Sequence, residues 1–341
     1  MTILLSRTDS IGDLILTLPM TGIIKEFLPE ARIIMLTSQY AEPVAWYSRH
    51  VDTVWSWQQL LQEPDARRLA LLTEAEIDWC IHVFPHRTIA TQMREADIPH
   101  RVGTRSRLFH WLSCNHLPPV SRKHSSLHES QLNTQLLAPL LGKSWRSNAL
   151  PLEHLAAYTG LVALQPLGDS FRARLHPAKF NLVLHPKSQG SAPEWSQESY
   201  KRLIDLLPRD QVHCVLTGTE REGEQMTELI DYALARGAES LVGETTVDEL
   251  FALLAAADGI VASSTGPLHI AAALGNHALG LFTPRRPMHA GRWHPLGTHA
   301  ETLTATIQCA GCAAHAQPKR SCACMDAITP EQVADRVRRW L

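Results

Sequence analysis

Short apolar runs, polar turns and longer amphipathic stretches alternate along the whole chain. Thr2 to Ser6 (TILLS) has the continuous apolar character of a buried strand, and after a polar turn it feeds a helical run, LILTLPMTGIIKEFL. Pro19 falls inside that run without the N–H a helix needs, so a kink is expected there. Further strands are expected at Arg32 to Thr37, Thr53 to Trp57, Asp78 to Phe84 and Arg101 to Gly103, and the amphipathic span Leu127 to Leu141 closes the series. Ala149 to Pro177 is mixed and proline-bearing, as a linker is. A second series opens at Asn181: a strand, a polar loop from His185 to Pro193 and a helix, then QVHCVL with its own turn and helix, then two more strand-helix units. Such alternation signals parallel β-α-β units in doubly wound sheets, where ligands gather outside the carboxyl ends of the strands. The expected divisions are a first domain at 1–160, a linker at 161–180, a second domain at 181–328 and a terminal helix at 329–341, with Thr329 as N-cap and Pro330 at the first helical position.

Two of the turns are candidates for chemistry. Asp258 to Pro284 reads as a strand (Gly259 to Ala262), a turn of small residues (Ser263, Ser264, Thr265, Gly266), a helix opening at Pro267, and a strand ending at Phe282. A helix N-terminus at a strand's carboxyl end offers free N–H groups and the positive pole of the dipole, and Ser264, Thr265 and His269 add donors, so the turn can cradle a phosphate. A plain capped turn with His269 in the core would have the same sequence. In the first series Gly12 permits a tight turn and Asp13 lies near a helix start, where the dipole favours a carboxylate. Helix capping accounts for a lone Asp in that position. No G-x-G-x-x-G follows the first strand, which counts against a dinucleotide-dependent dehydrogenase.

Length and composition narrow the class. The 341 residues suit two ordinary domains, and 45% hydrophobic content suits a soluble globular chain. The N-terminus, MTILLSRTDS, lacks a basic lead and a cleavage-type site, and no uncharged apolar run approaches the roughly twenty residues that span a bilayer, so a cytoplasmic location is expected. A net charge of −2 argues against general nucleic-acid binding, so an anionic partner must be met by a local patch. One such patch stands out: from Ile98 to His128 there is no acid, while Arg101, Arg105, Arg107, Arg122 and Lys123 stand among His100, His110, His116, His124 and His128, with Phe109 and Trp111. A solvated loop is the ordinary explanation of such a run; a site for an anionic acceptor beside a lipid interface is the sharper one. Near the end, Cys309, Cys312, Cys322 and Cys324 form C-x-x-C and C-x-C pairs that could hold zinc with His315 in reserve. The second pair is spaced more tightly than in most structural zinc sites, so no stoichiometric metal is expected.

Taken together, RTDSIGDLILTLP, LHPKSQGSAPEWSQESY, GTEREGE, SSLHESQLN and SSTGPLHIAAALG followed by GLFTP resemble glycosyltransferase family 9, the lipopolysaccharide heptosyltransferases. The resemblance runs from the first strand to the last helix. It implies an α/β GT-B fold, two doubly wound Rossmann-like domains facing a central cleft. It also implies inverting, metal-independent transfer of a sugar, heptose from ADP-heptose, onto a lipopolysaccharide core precursor. No cofactor is expected, since the nucleotide sugar is a co-substrate, and the partners are that donor, an anionic glycolipid acceptor and the inner membrane met peripherally. Carried over, the resemblance gives Asp13 the role of general base. It puts Lys187 and Ser188 in the loop around diphosphate and sugar, Glu222 at the nucleotide ribose, and Ser264, Thr265, Gly266, Pro267 and His269 in the pyrophosphate cradle. The acceptor falls to Arg101, Arg105, Arg107, Arg122 and Lys123.

Two departures bear on the donor sugar. Ser264-Thr265-Gly266 stands where the family usually reads Asp-Thr-Gly, and Ala192-Pro193-Glu194-Trp195 lacks the lysine usual before its Trp-Pro pair. Sites that hydrogen-bond a hydroxyl discriminate strongly by that contact, so these changes touch sugar choice. Lys187 is the nearby candidate to restore the missing cation. Two rival readings are a nucleotide-sugar epimerase of related architecture, which needs no acceptor patch, and a glycan-binding protein that has lost catalysis.

Overall fold

The computed structural model describes residues 1–123, 125–142, 145, 150–307 and 324–341. They form two compact units, Met1–Val162 and Ala163–Leu341. The first holds a parallel sheet of β1 (Thr2–Arg7), β2 (Arg32–Thr37), β3 (Thr53–Ser56), β4 (Trp79–His82) and β5 (His100–Val102), in the order β3-β2-β1-β4-β5. β1 lies between two parallel partners, Leu5 standing opposite Met35 on one side and Ile81 on the other, which is why TILLS has no polar face. The chain order reverses between β1 and β4, so the turn after β1 opens at the switch point where such sheets bind ligands.

The run after β1 is two helices, Ile11–Ile15 and Pro19–Phe27, rather than one kinked helix. Pro19 occupies the first position of the second helix, where its missing N–H has no partner to lose, and Thr17 Oγ1 donates to the Asp13 carbonyl at 2.9 Å across the break. Leu127 to Leu141 is also divided, into Glu129–Thr134, a 3-10 turn at Gln135–Leu137, and Ala138–Leu141.

The second unit's sheet comprises β6 (Phe180–His185), β7 (Val212–Leu216), β8 (Glu239–Ser240), β9 (Gly259–Ser263), β10 (His277–Phe282) and β11 (Ala300–Thr304), in the order β11-β10-β9-β6-β7-β8. All its pairings are parallel. Between the β7 unit and β9 stands one strand-helix unit, β8 with the helix Val247–Ala256, not two; β8 is a two-residue edge strand. The reversal here lies between β6 and β9, so their loops share one carboxyl edge. Much of the span read as linker is built into this unit: Leu167, Phe171 and Leu175 pack with Val215, Leu241 and Leu253. The last helix, Pro330–Arg338, is capped by Thr329 with Pro330 at its first position, and buries Val333, Ala334 and Val337 against the core of Trp195, Tyr200 and Leu203. Trp195 ties the two by donating from Nε1 to the Ile328 carbonyl at 2.9 Å.

Candidate functional site

In the first unit the residues after β1 form a charged knot. Ser10 caps the helix Ile11–Ile15, accepting the Asp13 amide at 3.3 Å, and its hydroxyl donates to Asp13 Oδ2 at 2.7 Å. Asp13 Oδ1 is paired with Arg7, whose side chain is only 4% exposed and also meets Asp9 at 2.8 Å and Glu129 at 3.3 Å. Burial alone would make Arg7 easier to deprotonate, and the charges of Asp13, Asp9 and Glu129 outweigh it, so its pKa is raised. Asp9 goes the other way from an ordinary carboxylate: burial first, then the charge of Asp13, lifts it to about 6 against the pull of Arg7. The knot therefore holds a fixed cation, Asp13 with its carboxylate tied at both oxygens, and a neighbouring carboxyl that titrates near neutrality.

The basic segment divides into committed and open cations. Arg101 spends Nε on the Ser113 carbonyl at 2.7 Å and Nη1 on the Ile98 carbonyl. Arg122 braces Glu129 at 3.0 Å, Asn133 Oδ1 at 2.8 Å and the Val83 carbonyl at 3.2 Å. Both are half-buried structural residues, whereas Arg105, Arg107 and Lys123 are exposed. Arg105 holds its loop through Nε to the Leu117 carbonyl at 2.8 Å. The histidines add less charge than the sequence suggests: His110 is buried, and burial lowers its pKa. His128 caps the helix Glu129–Thr134, and His124 lies outside the described residues.

In the second unit the candidate residues stand in the loops after β6, β7 and β9. Lys187 and Ser188, after β6, are both buried and both tied to Glu194. Glu194 accepts Lys187 Nζ at 2.8 Å, the Ser188 amide at 2.9 Å and the Ser188 hydroxyl at 3.0 Å. The residue that stands in the departing stretch thus neutralises Lys187, which is not available as a replacement for the family's cation. Glu222, in the first turn after β7, closes a capping box with Thr219, whose amide and hydroxyl each reach Oε2 at 2.9 Å, while the Gln189 amide reaches Oε1 at 3.1 Å. A carboxylate accepts about four hydrogen bonds, so a lone-pair position remains on Oε1 for a hydroxyl. Lys187, Gln189, Glu194, Thr219, Arg221, Glu222 and Gln225 line a cleft of about 240 Å³. Beneath it His185 Nδ1 lies 3.0 Å from Thr217 Oγ1, its pKa lowered by burial against the opposing charges of Glu222 and Glu194.

The turn after β9 completes the edge. Thr265 is the N-cap of the helix Gly266–Ala273, one residue earlier than expected, with Pro267 at its second position. Its Oγ1 makes no cap hydrogen bond, and it is buried without a hydrogen-bond partner among the described residues, as is Ser263 Oγ. Amides in a helix's first turn have no intrahelical acceptor, so Gly266 and Leu268 present N–H groups beside that hydroxyl. Buried polar atoms are satisfied in the great majority of cases, and a hydroxyl beside free first-turn amides has the donor chemistry that suits an anion. Ser264 is half-buried and His269 is buried. These residues do not line the Glu222 cleft; they follow β9, and β6 stands between it and the β7 that leads to Glu222.

Residues 124–322, more than half of the chain, match the sequence profile of glycosyltransferase family 9 (heptosyltransferase). The chain belongs to glycosyltransferase family 9. Among relatives of this family 9 enzyme, a Haemophilus influenzae protein with a provisional glycosyltransferase name is 25% identical over 86% of each chain. The lipopolysaccharide heptosyltransferase 2 of Escherichia coli is 30% identical over 29% of each chain. In structure the protein shares the GT-B fold of the Escherichia coli ADP-heptose lipopolysaccharide heptosyltransferase II, with a TM-score of 0.76 at 19% identity over 100% of this chain and 98% of that one. An Escherichia coli heptosyltransferase solved with ADP gives 0.70 at 17% identity over 100% of both chains.

Sequence reasoning about this family 9 glycosyltransferase missed Arg7, Glu129 and Glu194. Glu194 had a signal, a carboxylate within reach of Lys187 in the same loop. Arg7 and Glu129 lie in the quoted stretches RTDSIGDLILTLP and SSLHESQLN, but nothing in the sequence pairs them, since only folding brings them together. Of the cysteine cluster, Cys309, Cys312 and Cys322 lie outside the described residues, and Cys324 is buried beside the turn Met325–Ala327.

Proposed function

We propose that this glycosyltransferase moves a heptose from ADP-heptose onto a lipopolysaccharide core precursor, inverting the anomeric carbon without a metal. The observation that carries the reading is the orphaned, buried Thr265 hydroxyl at the N-terminus of Gly266–Ala273, on the edge that also holds Glu222. It supports an anionic ligand with a nucleoside attached: diphosphate at the helix N-terminus, a ribose hydroxyl on Glu222. The ADP-heptose and ADP in the names of solved relatives support the identity of the donor.

In the reaction the acceptor oxygen bonds to the anomeric carbon as the bond from that carbon to the diphosphate breaks. The acceptor's proton passes to Asp13, and a single displacement inverts the centre. Negative charge grows on the leaving diphosphate, where the first-turn amides and the dipole stabilise it in place of a cation. Arg105, Arg107 and Lys123 meet the acceptor's anionic groups. Among the described residues no helix is long and apolar enough to cross a membrane. We place the enzyme at the cytoplasmic face of the inner membrane.

The test offers a panel of nucleoside diphosphate sugars and records which raises the melting temperature, then supplies a core acceptor and determines the anomeric configuration of the product. ADP-heptose should give the largest shift, an inverted product and transfer that survives a chelator. A different donor sugar, retention, or one zinc per chain with chelator-sensitive transfer would each overturn the corresponding part.

A further inference from the structure

The helix Leu108–Ser113 is built inside out. His110 and Ser113 are buried, while Leu108, Trp111 and Leu112 are 85%, 58% and 76% exposed. Spacings of three and four put those three on one face. The arrangement is held firmly: His110 Nδ1 accepts the Thr104 amide at 2.9 Å, Ser113 Oγ donates to the Phe109 carbonyl at 2.8 Å, and Arg94 donates to the Leu112 carbonyl at 3.0 Å. Trp111 Nε1 donates to the Arg105 carbonyl at 3.1 Å, so the indole's one polar atom is already satisfied on the protein side. A single exposed leucine needs no explanation, but three large apolar side chains side by side mark a contact surface.

The surroundings select the occupant. Arg105, Arg107 and Lys123 are exposed, and the sequence holds no acid between Ile98 and His128. A second copy meeting this patch across a two-fold axis would set the same arginines against one another. An anionic bilayer satisfies both parts at once, since Trp favours the headgroup boundary, Leu the acyl side and Arg the lipid phosphates. We propose that the helix Leu108–Ser113 is the membrane-docking element, inserting Leu108, Trp111 and Leu112 into an anionic lipid surface with Arg105 and Arg107 at headgroup level. The inference rests on the proposed lipid-linked acceptor only for its purpose, which is to hold the enzyme where that acceptor's sugars emerge.

The full chain is sedimented with vesicles containing phosphatidylglycerol, and separately with phosphatidylcholine vesicles, neither holding any lipopolysaccharide precursor. Binding therefore stands or falls apart from transfer. The wild type binds the anionic vesicles in a salt-sensitive way, and L108S/L112S weakens that binding about tenfold or more through lost acyl contact. The variant keeps its melting temperature and its transfer to a lipid-free acceptor sugar. Failure of the wild type to bind, or undiminished binding by L108S/L112S, overturns the proposal. A wild-type dimer that becomes a monomer in L108S/L112S overturns it too, by assigning the patch to a second copy. Vesicles with brominated acyl chains give an independent reading: they quench wild-type tryptophan emission more than that of W111F, and equal quenching excludes insertion of Trp111.

Discussion

Replacing Asp13 with Asn separates its structural duty from its proposed chemistry. Ser10, not Asp13, caps the helix, and Asn still offers an oxygen to the Ser10 hydroxyl now 2.7 Å from Oδ2. What Asn lacks is charge. It forfeits a dipole contribution of at most about 1 kcal/mol and the charge-assisted bond to Arg7, worth about 1.5–3 kcal/mol. Part of that returns, because Arg7 keeps Asp9 at 2.8 Å and Glu129 at 3.3 Å and the crowding of Asp9 by Asp13 is relieved. A net cost of about 1–2 kcal/mol, or a melting point lower by about 2–8 °C in a unit of this size, leaves the variant folded. The chemical effect is larger: loss of a general base lowers the rate by about a hundredfold to ten-thousandfold, about 3–5 kcal/mol of barrier. Every donor-binding candidate lies in the second unit, so donor affinity should stay within about twofold, well under 1 kcal/mol. The assay pairs kcat at saturating acceptor with donor Kd by calorimetry and a melting curve. A folded Asp13→Asn that keeps most of its kcat refutes the base role, because the structure has already accounted for the cap without it.

Thr265→Val removes an orphaned hydroxyl at constant shape, so it should stabilise the free protein by up to about 1–2 kcal/mol and weaken ADP binding about fivefold to tenfold. Opposite signs in melting and calorimetry identify a ligand donor, and unchanged ADP affinity rules one out. Arg105→Ala with Arg107→Ala should raise acceptor KM several-fold, less so at high salt, and leave donor affinity alone, while Arg122→Ala, which strips a brace from the buried Glu129, should cost stability of about 1–3 kcal/mol. Equal loss of donor and acceptor binding in the double variant would show that the segment supports the fold. Asp9 has a folded pKa of about 6, raised from 3.8, so its contribution to stability is full below about pH 4 and lost as the pH climbs through 6. Asp9→Asn removes that loss: in urea it should gain up to about 3 kcal/mol on the wild type at pH 7 relative to pH 4, at about 1.36 kcal/mol for each of about two pKa units. A gain equal at both pH values would mean that Asp9 does not titrate in this range.

The fold was legible wherever local pattern and final packing ask for the same thing. β2 and Phe282 at the end of β10 fall where the apolar runs put them, because strands paired on both sides need unbroken apolar sequence. Thr329 and Pro330 were readable because capping is decided within four residues. The misreadings of side-chain role share a cause: the sequence shows which groups are present, not which are already engaged. Arg7 and Glu129 are 122 positions apart, and only the closing of β1 beside the helix Glu129–Thr134 makes them a pair. Lys187 looked like a spare cation until Glu194 was found on it, and Arg122 like an acceptor ligand until its guanidinium was found between Glu129 and Asn133. Pro19 was misread for a different reason: its missing N–H would break a continuous helix, and it is accommodated at the first position of a new one, where that N–H has no partner to lose. Among the described residues the groups left open include the Thr265 hydroxyl in the second unit and, in the first, the exposed arginines beside Leu108, Trp111 and Leu112. A buried hydroxyl without a partner costs free energy that a ligand accepting from it would return, and the opposite signs expected of Thr265→Val in melting and in calorimetry read that exchange directly.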